Sequence, residues 1–328
     1  MRSVQLQTHG RPPVLVERDD PGPPAEDQCL VVVRAAPITP LDVLCATGTS
    51  YFGPPALPYV PGVQGVGTVL VHPVLEAGTR VWFPTGAGMA PGDGSMATSV
   101  VLPADAVVPL PGDAVDDTEV AALGLSAVAA WMALTWRAGL RPGEQVLVLG
   151  AGGVVGQVAV QAARLLGARR VVAAARSERA RQRAATCGAD VVVPLEDGDT
   201  VAGLADRLAD ALDGPLDVVV DPLCGVPASA ATRVLGEGGR LVHLGSAAGT
   251  TMEVDSASLR SRTAAVLGYT NNGITTEQRD GALLAVLAEA AAGRLRVDHE
   301  VVPLEHVGGA WARQADGTAA TRLVVDLR

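Results

Sequence analysis

The pattern of hydrophobic and polar positions divides the chain into a β-rich beginning, an alternating middle and a short mixed tail. Up to about residue 110 there is no helical periodicity, and short runs rich in Val are separated by Pro and Gly. This pattern predicts an irregular β domain with one or two helical turns at residues 42–46. Its predicted strands cover residues 14–16, 30–34, 67–71, 80–83 and 99–101.

Strand and helix patterns then alternate along the middle of the chain. This order is typical of parallel strands joined by right-handed crossovers, so the sequence predicts an α/β protein with a doubly wound parallel sheet. The predicted strands cover residues 146–149, 170–174, 191–193, 217–220, 240–244 and 264–267. The predicted helices cover residues 120–138, 178–186, 200–212, 227–235 and 276–292.

The tail has a strand, helix, strand pattern over residues 297–302, 304–314 and 322–327. We expect this tail to return to the first domain. The predicted domains are therefore residues 1–115, completed by residues 294–328, and residues 116–293.

A glycine-rich turn joins the first strand of the alternating region to the helix after it, within the segment EQVLVLGAGGVVGQVAVQAARLLGA. Such a turn lets the backbone approach a diphosphate, and the N–H groups at the helix start attract negative charge. The turn and the helix start comprise Gly150, Gly152, Gly153, Val154, Val155 and Gly156. This context predicts a Rossmann unit that binds a dinucleotide.

The residues after the second strand of that unit indicate which dinucleotide is bound. NAD usually requires an acidic residue about 20 positions beyond the glycines, and here that position is Arg176. Ser177, Arg179 and Arg181 follow, and Arg can bind a 2′-phosphate through two hydrogen bonds. We therefore predict NADPH rather than NADH. The alternative is that these arginines only cover the helix that begins at Glu178.

The nicotinamide is expected at the carboxyl ends of the parallel strands. Gly245 and Ser246 follow one predicted strand, and Asn271 and Asn272 follow another. The two Asn side chains are candidates for the carboxamide of the nicotinamide. Asn-Asn-Gly is equally a turn signal.

The charge and the scattered Cys and His residues argue against other classes of function. The formal net charge of −10 disfavours a nucleic-acid or anionic-membrane partner. The four cysteines and five histidines do not form metal-ligand clusters, so each histidine is predicted to be structural and the thiols to be free in a cytoplasmic protein. Residues 120–136 and 146–163 approach membrane-spanning length but are predicted to be core helices, and residues 1–13 lack a signal-peptide pattern.

In this order the chain resembles the medium-chain dehydrogenase/reductase superfamily, in its zinc-independent quinone oxidoreductase and enoyl reductase branch. Segments that carry the resemblance include AAPITPLDVLCATG, LPYVPGVQGVGTV, GAGGVVG, VVVDPLCG and GGRLVHLGSAAG. The resemblance implies a GroES-like catalytic domain in addition to the Rossmann domain. It also implies a homodimer, with a strand near residues 264–267 at the subunit contact.

The resemblance also implies chemistry without zinc. Where the family's alcohol dehydrogenases have Gly-His-Glu, this chain has Gly62, Val63 and Gln64, and a ligating Cys is missing from ITPLDVL. Reduction of a conjugated carbonyl needs less help from a Lewis acid than alcohol oxidation, because delocalisation spreads the charge left after hydride addition.

The resemblance places three candidate catalytic residues in the first domain. Tyr51 lies in the loop where related reductases present a tyrosine as proton donor, and Tyr59 is the weaker candidate. Thr39 and Asp42 match positions close to the cofactor in relatives. Solvent is the alternative proton source.

The sequence thus predicts an NADPH-dependent reductase that transfers hydride to a small quinone or α,β-unsaturated carbonyl. Two alternatives remain open. One is a dedicated biosynthetic enoyl reductase with a narrow substrate range, and the other is a non-catalytic family member that binds NADPH.

Overall fold

The computed structural model describes residues 1–328, which form two compact units. The first unit comprises Met1–Leu125 and Val297–Arg328, and the second comprises Ser126–Arg296. The boundaries predicted from the sequence fall after residues 115 and 293.

The chain contains fifteen strands. In chain order they are β1 (Arg2–Gln5), β2 (Val14–Glu17), β3 (Gln28–Ile38), β4 (Gln64–Val71), β5 (Arg80–Pro84), β6 (Ser99–Pro103), β7 (Val108–Pro109), β8 (Gln145–Leu149), β9 (Arg170–Ala175), β10 (Val191–Pro194), β11 (Leu216–Asp221), β12 (Leu235–His243), β13 (Ala265–Gly268), β14 (His299–Pro303) and β15 (Arg322–Asp326).

Nine α-helices accompany these strands. They are α1 (Pro40–Thr47), α2 (Asp117–Met132), α3 (Val154–Leu165), α4 (Glu178–Thr186), α5 (Val201–Ala211), α6 (Gly225–Val234), α7 (Ser256–Arg262), α8 (Thr276–Ala291) and α9 (Val307–Ala315). A π-helical segment, Ala133–Arg137, continues α2, and short 3-10 turns include Asn271–Gly273.

The first unit is built on a mixed seven-stranded sheet. The strand order is β14-β15-β3-β4-β5-β7, with β6 also paired to β3. All of these pairings are antiparallel except that of β14 with β15, and β15 returns from the tail to pair with β3. Buried side chains such as Val31, Ile38, Phe83 and Trp311 form the core of this unit.

The second unit contains a six-stranded parallel sheet in the order β10-β9-β8-β11-β12-β13. Strand order reverses between β8 and β11, so the carboxyl ends of these two strands mark the topological switch point. Every residue of β8 is buried, as expected for a strand covered by helices on both faces. The predicted α/β fold with a doubly wound parallel sheet and a separate β-rich sheet is confirmed.

The start of α2 belongs to the first unit because Gln64 holds it there. The Gln64 side chain donates to the carbonyl of Ala121 (3.4 Å) and accepts from the N–H of Leu125 (2.6 Å). Between them Gly124 leaves helical geometry, with φ 33° and ψ −134°. A Cβ on Gly124 would lie 2.0 Å from the Gln64 side-chain oxygen, so this close approach requires glycine.

One helical stretch, Asp117–Arg137, has the length and apolar composition of a membrane-crossing helix. Core helices of globular proteins share both properties, and 67% of its most apolar window is buried within the fold.

Candidate functional site

The glycine turn leaves almost no room for side chains at three of its four glycines. Gly150 has a left-handed φ of 63°, and a Cβ on Gly156 would lie 2.4 Å from the carbonyl oxygen of Gly150. A Cβ on Gly152 would lie 2.3 Å from Cβ of Ala180 in α4. At Gly153, by contrast, the nearest atom would be 3.6 Å away. The turn is therefore tight, except at Gly153 where α3 begins, which could hold a Cβ without a clash.

Helix α3 starts without a side-chain cap. Its N-cap is Gly153, and no side chain accepts from the first N–H groups, which include those of Val154 and Val155. Helices α4 and α5 begin instead with Ser177 and Thr200, whose hydroxyls accept from the backbone. Uncapped N–H groups beside an open glycine are what a diphosphate requires, so the turn fits a dinucleotide.

Two side chains stabilise the turn by hydrogen bonds to one of its carbonyl groups. Nε2 of Gln157 donates to the carbonyl of Gly152 at 3.0 Å, and Nη1 of Arg183 donates to the same oxygen at 3.3 Å. These hydrogen bonds fix the turn without using the N–H groups at the start of α3.

The predicted 2′-phosphate residues lie where β9 ends and α4 begins. Arg181 is engaged within the protein, because it donates to the carbonyl of Arg176 and to Glu178, both at 2.6 Å. The side chains of Arg176 and Arg179 are exposed and make no hydrogen bond or ion pair. Ser177 accepts from the N–H of Ala180 at 3.2 Å as the cap of α4. Arg176 and Arg179 are thus the two cations available to a ligand here.

The carboxyl ends of β11 and β12 carry a paired carboxylate and imidazole. Asp221, the last residue of β11, is fully buried, and one of its oxygens accepts from the N–H groups of Leu223 and Cys224, each at 2.9 Å. Its other oxygen lies 2.7 Å from Nδ1 of His243, the last residue of β12. The His243 side chain is 29% exposed.

The sequence pattern placed His243 among the scattered histidines with structural roles, and the structure adds that it pairs with Asp221, a contact that no sequence motif marked. The available signal was positional, since 217–220 and 240–244 are adjacent predicted strands whose carboxyl ends meet at one edge of a parallel sheet.

The loop after β11 packs against the glycine turn. A Cβ on Gly150 would lie 2.9 Å from Cδ2 of Leu223, and a Cβ on Gly245 would lie 2.7 Å from the carbonyl oxygen of Pro222. Cys224 in this loop has an unusual positive φ of 62°. Gly245, with the exposed Ser246 after it, therefore lies at the carboxyl edge that also carries the turn.

Asn271 and Asn272 lie in the 3-10 turn after β13. The side-chain oxygen of Asn271 accepts from the hydroxyl of Tyr269 at 2.8 Å, and the backbone N–H of Asn272 donates to the Thr270 hydroxyl at 3.3 Å. Burial raises the pKa of the Tyr269 phenol. The Asn-Asn-Gly segment forms a turn, and the carboxamide contact stays a prediction.

In the first unit, Thr39 and Asp42 form the capped start of α1. One oxygen of Asp42 accepts from the N–H and the hydroxyl of Thr39 (2.8 and 2.6 Å), and the other accepts from the N–H groups of Gly62 and Val63 (3.1 and 2.9 Å). Burial raises the pKa of the Asp42 carboxyl, against the opposing effect of these hydrogen bonds. These contacts tie α1 to the loop before β4, and a catalytic role for either residue stays a prediction.

The two candidate tyrosines differ in exposure. Tyr51 is 78% exposed and packs against Phe52, with ring centroids 4.1 Å apart and the rings tilted by 36°. Its loop is held by His9, whose Nε2 lies 3.0 Å from the carbonyl oxygen of Pro55. Tyr59 is buried, and burial raises the pKa of its phenol. Tyr51 is therefore the accessible phenol of the two.

Gly62, Val63 and Gln64 stand where the family's zinc enzymes have Gly-His-Glu, and the Gln64 side chain makes structural hydrogen bonds. The side-chain oxygen of the buried Gln64 accepts from Nε1 of Trp82 at 3.1 Å in addition to its bonds with the start of α2. Cys45 is buried, and burial raises the pKa of its thiol. No group of three or more His, Cys, Asp or Glu side chains that could hold a metal ion is present.

Two family models match the chain. The alcohol dehydrogenase GroES-like domain matches residues 25–112, and the zinc-binding dehydrogenase model matches residues 154–286. The quinone oxidoreductase of Lama guanicoe is 30% identical over 338 residues, covering 99% of this chain and 97% of that protein.

A solved structure and a larger protein are also similar to the chain. The quinone oxidoreductase of Thermus thermophilus, described with its NADPH complex, matches with a TM-score of 0.77 at 30% identity and covers 99% of this chain and 100% of that chain. A phenolphthiocerol/phthiocerol polyketide synthase of Mycobacterium tuberculosis is 34% identical over 248 residues, or 74% of this chain. The match spans only 11% of that synthase.

Proposed function

Because the chain belongs to the quinone oxidoreductase branch of the medium-chain dehydrogenase/reductase superfamily, whose members are NAD(P)-dependent oxidoreductases, we propose a specific activity for it. The protein is an NADPH-dependent reductase that transfers hydride to a quinone or an α,β-unsaturated carbonyl without a metal. The observation that carries this proposal is the uncapped start of α3 beside Gly153, with unpaired arginines at the end of the next strand.

The charges around the end of β9 favour NADPH over NADH. Arg176 and Arg179 can pair with a 2′-phosphate, which NADH lacks. The nearby carboxylate of Glu178 pairs with Arg181 at 2.6 Å, which partly neutralises its charge, and it also accepts from Gln182 at 3.2 Å. The Thermus thermophilus relative is described in complex with NADPH, which supports the same cofactor for this chain.

The proposal of a metal-free reaction rests on the side chains that occupy the zinc-ligand positions of the family. The Glu position of the family's zinc enzymes holds Gln64, whose carboxamide is committed to Trp82 and Leu125. Its neighbour Val63 offers no ligand atom in its side chain. A conjugated acceptor suits such a site, because the charge that follows hydride addition is delocalised over the carbonyl.

The protein's part in the reaction is to bind, orient and protonate. A reduced nicotinamide, when bound, supplies the hydride. We propose Tyr51 as the proton donor for the enolate, since its phenol is exposed and its loop is held by His9. Thr39 and Asp42 would act indirectly, by fixing α1 and the loop before β4.

One relative favours a second candidate function, that of a dedicated biosynthetic enoyl reductase. The polyketide synthase is 34% identical to the chain, although the match covers 11% of that synthase. Under this proposal the acceptor is an α,β-unsaturated thioester of polyketide type, and simple quinones are poor substrates.

The test is an acceptor screen with purified protein. The near-ultraviolet absorbance of NADPH or NADH is followed with a quinone, an enone, an unsaturated thioester and a saturated aldehyde, each with and without a chelator. We expect faster loss of NADPH than of NADH, with the quinone or enone as acceptor and no effect of the chelator. Turnover restricted to the thioester favours the second candidate. Tight NADPH binding without turnover of any acceptor contradicts both and indicates a non-catalytic member of the family.

A further inference from the structure

The His243–Asp221 pair has a free nitrogen that the fold does not use. Nδ1 of His243 lies 2.7 Å from the Asp221 carboxylate, while Nε2 makes no hydrogen bond within the protein. The ring is partly exposed, at 29%, whereas Asp221 is fully buried. The pair therefore presents one imidazole nitrogen at the carboxyl edge of the parallel sheet.

Asp221 decides which nitrogen of His243 carries the hydrogen. A carboxylate only accepts hydrogen bonds, and Asp221 already accepts from the N–H groups of Leu223 and Cys224. The contact with His243 thus places a hydrogen on Nδ1, and in the neutral form of the ring Nε2 carries a lone pair. Its natural partner is a neutral donor, either a hydroxyl or an amide N–H.

The order of the strands places His243 and Arg176 on opposite sides of the glycine turn. The turn follows β8, Arg176 follows β9 on one side, and His243 ends β12 beyond β11 on the other side. At about 4.8 Å per strand, β12 lies roughly 10 Å from β8. A dinucleotide with its diphosphate at α3 and its 2′-phosphate at Arg176 extends its nicotinamide riboside half toward β11 and β12.

We propose that Nε2 of His243 accepts a hydrogen bond from the nicotinamide riboside half of the bound cofactor, from a ribose hydroxyl or the carboxamide N–H. Asp221 holds the imidazole in the required tautomer and orientation. The assignment rests on the proposed function, since it needs a bound dinucleotide. It makes His243 a cofactor-binding residue rather than a structural histidine.

The test compares binding of NADPH with binding of 2′,5′-ADP, which lacks the nicotinamide half, by titration calorimetry. In His243→Asn, the amide nitrogen replaces Nδ1 as donor to Asp221, but no atom replaces Nε2. We expect NADPH affinity to fall roughly fivefold or more and 2′,5′-ADP affinity to stay unchanged. His306→Asn, at an exposed histidine of the first unit, is the matched control and should change neither affinity.

A cofactor analogue identifies which group donates to His243, and a second variant of His243 controls for misfolding. With the 3-acetylpyridine analogue of the cofactor, which has no carboxamide N–H, the effect of His243→Asn disappears if the carboxamide is the donor and persists if the ribose is. His243→Gln brings a carboxamide oxygen near the position of Nε2 and should retain more NADPH affinity than His243→Asn.

Three results overturn the proposal. They are unchanged NADPH affinity in His243→Asn, equal losses for NADPH and 2′,5′-ADP, and weaker NADPH binding by the Gln variant than by the Asn variant. If the wild-type protein itself binds neither ligand, the proposed function fails along with this assignment.

Discussion

Unpaired charges in a folded protein are available to ligands, and Arg176 and Arg179 are two such charges. They lie where β9 meets α4, while Arg181 beside them is held by Glu178 and the carbonyl of Arg176. Counting about 20 residues from the glycine turn was enough to find this segment, because the lengths of α3 and β9 fix that distance. The count could not distinguish Arg181, which is paired, from Arg176 and Arg179, which are not, because side-chain pairing depends on rotamers.

Arg176→Ala should weaken NADPH binding selectively. Loss of charge-assisted hydrogen bonds to a 2′-phosphate predicts a KM for NADPH roughly 10- to 100-fold higher, with little change in the KM for NADH. Steady-state kinetics with both cofactors measure this difference. Arg260→Ala, which removes an exposed arginine of α7, is the control and should alter neither KM. Equal effects of Arg176→Ala on both cofactors would refute the assignment.

Tyr51→Phe should separate enone from quinone reduction. An enolate needs a proton on carbon, whereas a hydroquinone anion takes its proton readily from water. We expect kcat for an enone to fall on the order of 100-fold and kcat for a quinone to stay nearly unchanged. Tyr59→Phe removes the hydroxyl of the buried tyrosine and is the control. An enone rate as high in Tyr51→Phe as in wild type would show that solvent is the proton source.

The contact between Asp221 and His243 could not be predicted from either residue alone. The two residues are 22 positions apart in sequence, and no spacing rule connects them. They meet because β11 and β12 are adjacent and in register at their last residues. Their contact follows from sheet topology rather than from any local motif.

At the level of the element, the strand–turn–helix around Gly150–Gly156 combines two kinds of glycine. Gly152 and Gly156 are required by close packing against Ala180 and Gly150, whereas a Cβ on Gly153 would make only an ordinary van der Waals contact. The motif in the sequence predicted the turn but not this division. Only the structure separates the glycines that packing requires from Gly153, which packing does not require.

Gly153→Ala should therefore affect the ligand and not the fold. Its φ of −79° and ψ of 168° suit alanine, and its nearest neighbour would be 3.6 Å away, so we expect the unfolding free energy to change by less than about 1 kcal/mol. If the diphosphate approaches this backbone, NADPH affinity should fall roughly tenfold or more. Calorimetry and urea unfolding measure the two quantities. Gly152→Ala is the contrasting variant, which should destabilise the fold. Undiminished NADPH affinity in Gly153→Ala would contradict the site.

The ion pair between Glu144 and Arg240 links the segment before β8 to β12. Both carboxylate oxygens of Glu144 accept from Arg240 at 2.7 Å, and the N–H of Arg141 adds a third hydrogen bond. Burial alone would raise the pKa of the Glu144 carboxyl, but these hydrogen bonds outweigh burial and hold the pKa below its usual 4.5. A carboxyl whose pKa is lower in the folded than in the unfolded protein stabilises the fold at pH values above its unfolded-state pKa. That stabilisation is lost as the pH falls from the unfolded-state pKa through the folded-state pKa.

Glu144→Gln should weaken the dependence of the unfolding free energy on pH at acid pH. In wild type, the free energy of unfolding should decrease as the pH falls from about 4.5 through the lower folded-state pKa, and Glu144→Gln should lose less over this range. At neutral pH the variant should be less stable by about 1–3 kcal/mol, through the weakened charged pair. Urea unfolding across the pH range measures both effects. Glu237→Gln, at an exposed position of β12, is the control, and an identical acid slope in Glu144→Gln and wild type would contradict this role.

Most elements followed from periodicity, and the exceptions have physical causes. The predicted helix at 178–186 coincides with α4, and the strand–helix alternation of the second unit is present. Helix α7 was missed because Ser256–Arg262 is short and has no buried residue to create an apolar stripe. The predicted single helix at 120–138 begins earlier and is interrupted at Gly124, a break imposed by the tertiary contact with Gln64.

On the scale of the whole molecule, the family assignment from the sequence is confirmed, and it rested on collinear segments rather than on the glycine motif. The GroES-like domain model matches residues within the first unit, and the zinc-binding dehydrogenase model matches residues within the second. The homodimer implied by the resemblance stays a prediction. Strand β13 does lie at the edge of the six-stranded sheet, with Ala265–Gly268 paired on one side only.

In the proposed reaction, the Rossmann unit holds NADPH, and hydride passes to a conjugated acceptor without a metal. This reaction is tested by following deuterium from NADPH labelled at both C4 positions into an enone, using protein treated exhaustively with a chelator and mass spectrometry of the product. We predict one deuterium on the carbon β to the carbonyl, at the same rate before and after chelation. An unlabelled product, or transfer that stops on chelation and returns with added Zn²⁺, would contradict this claim.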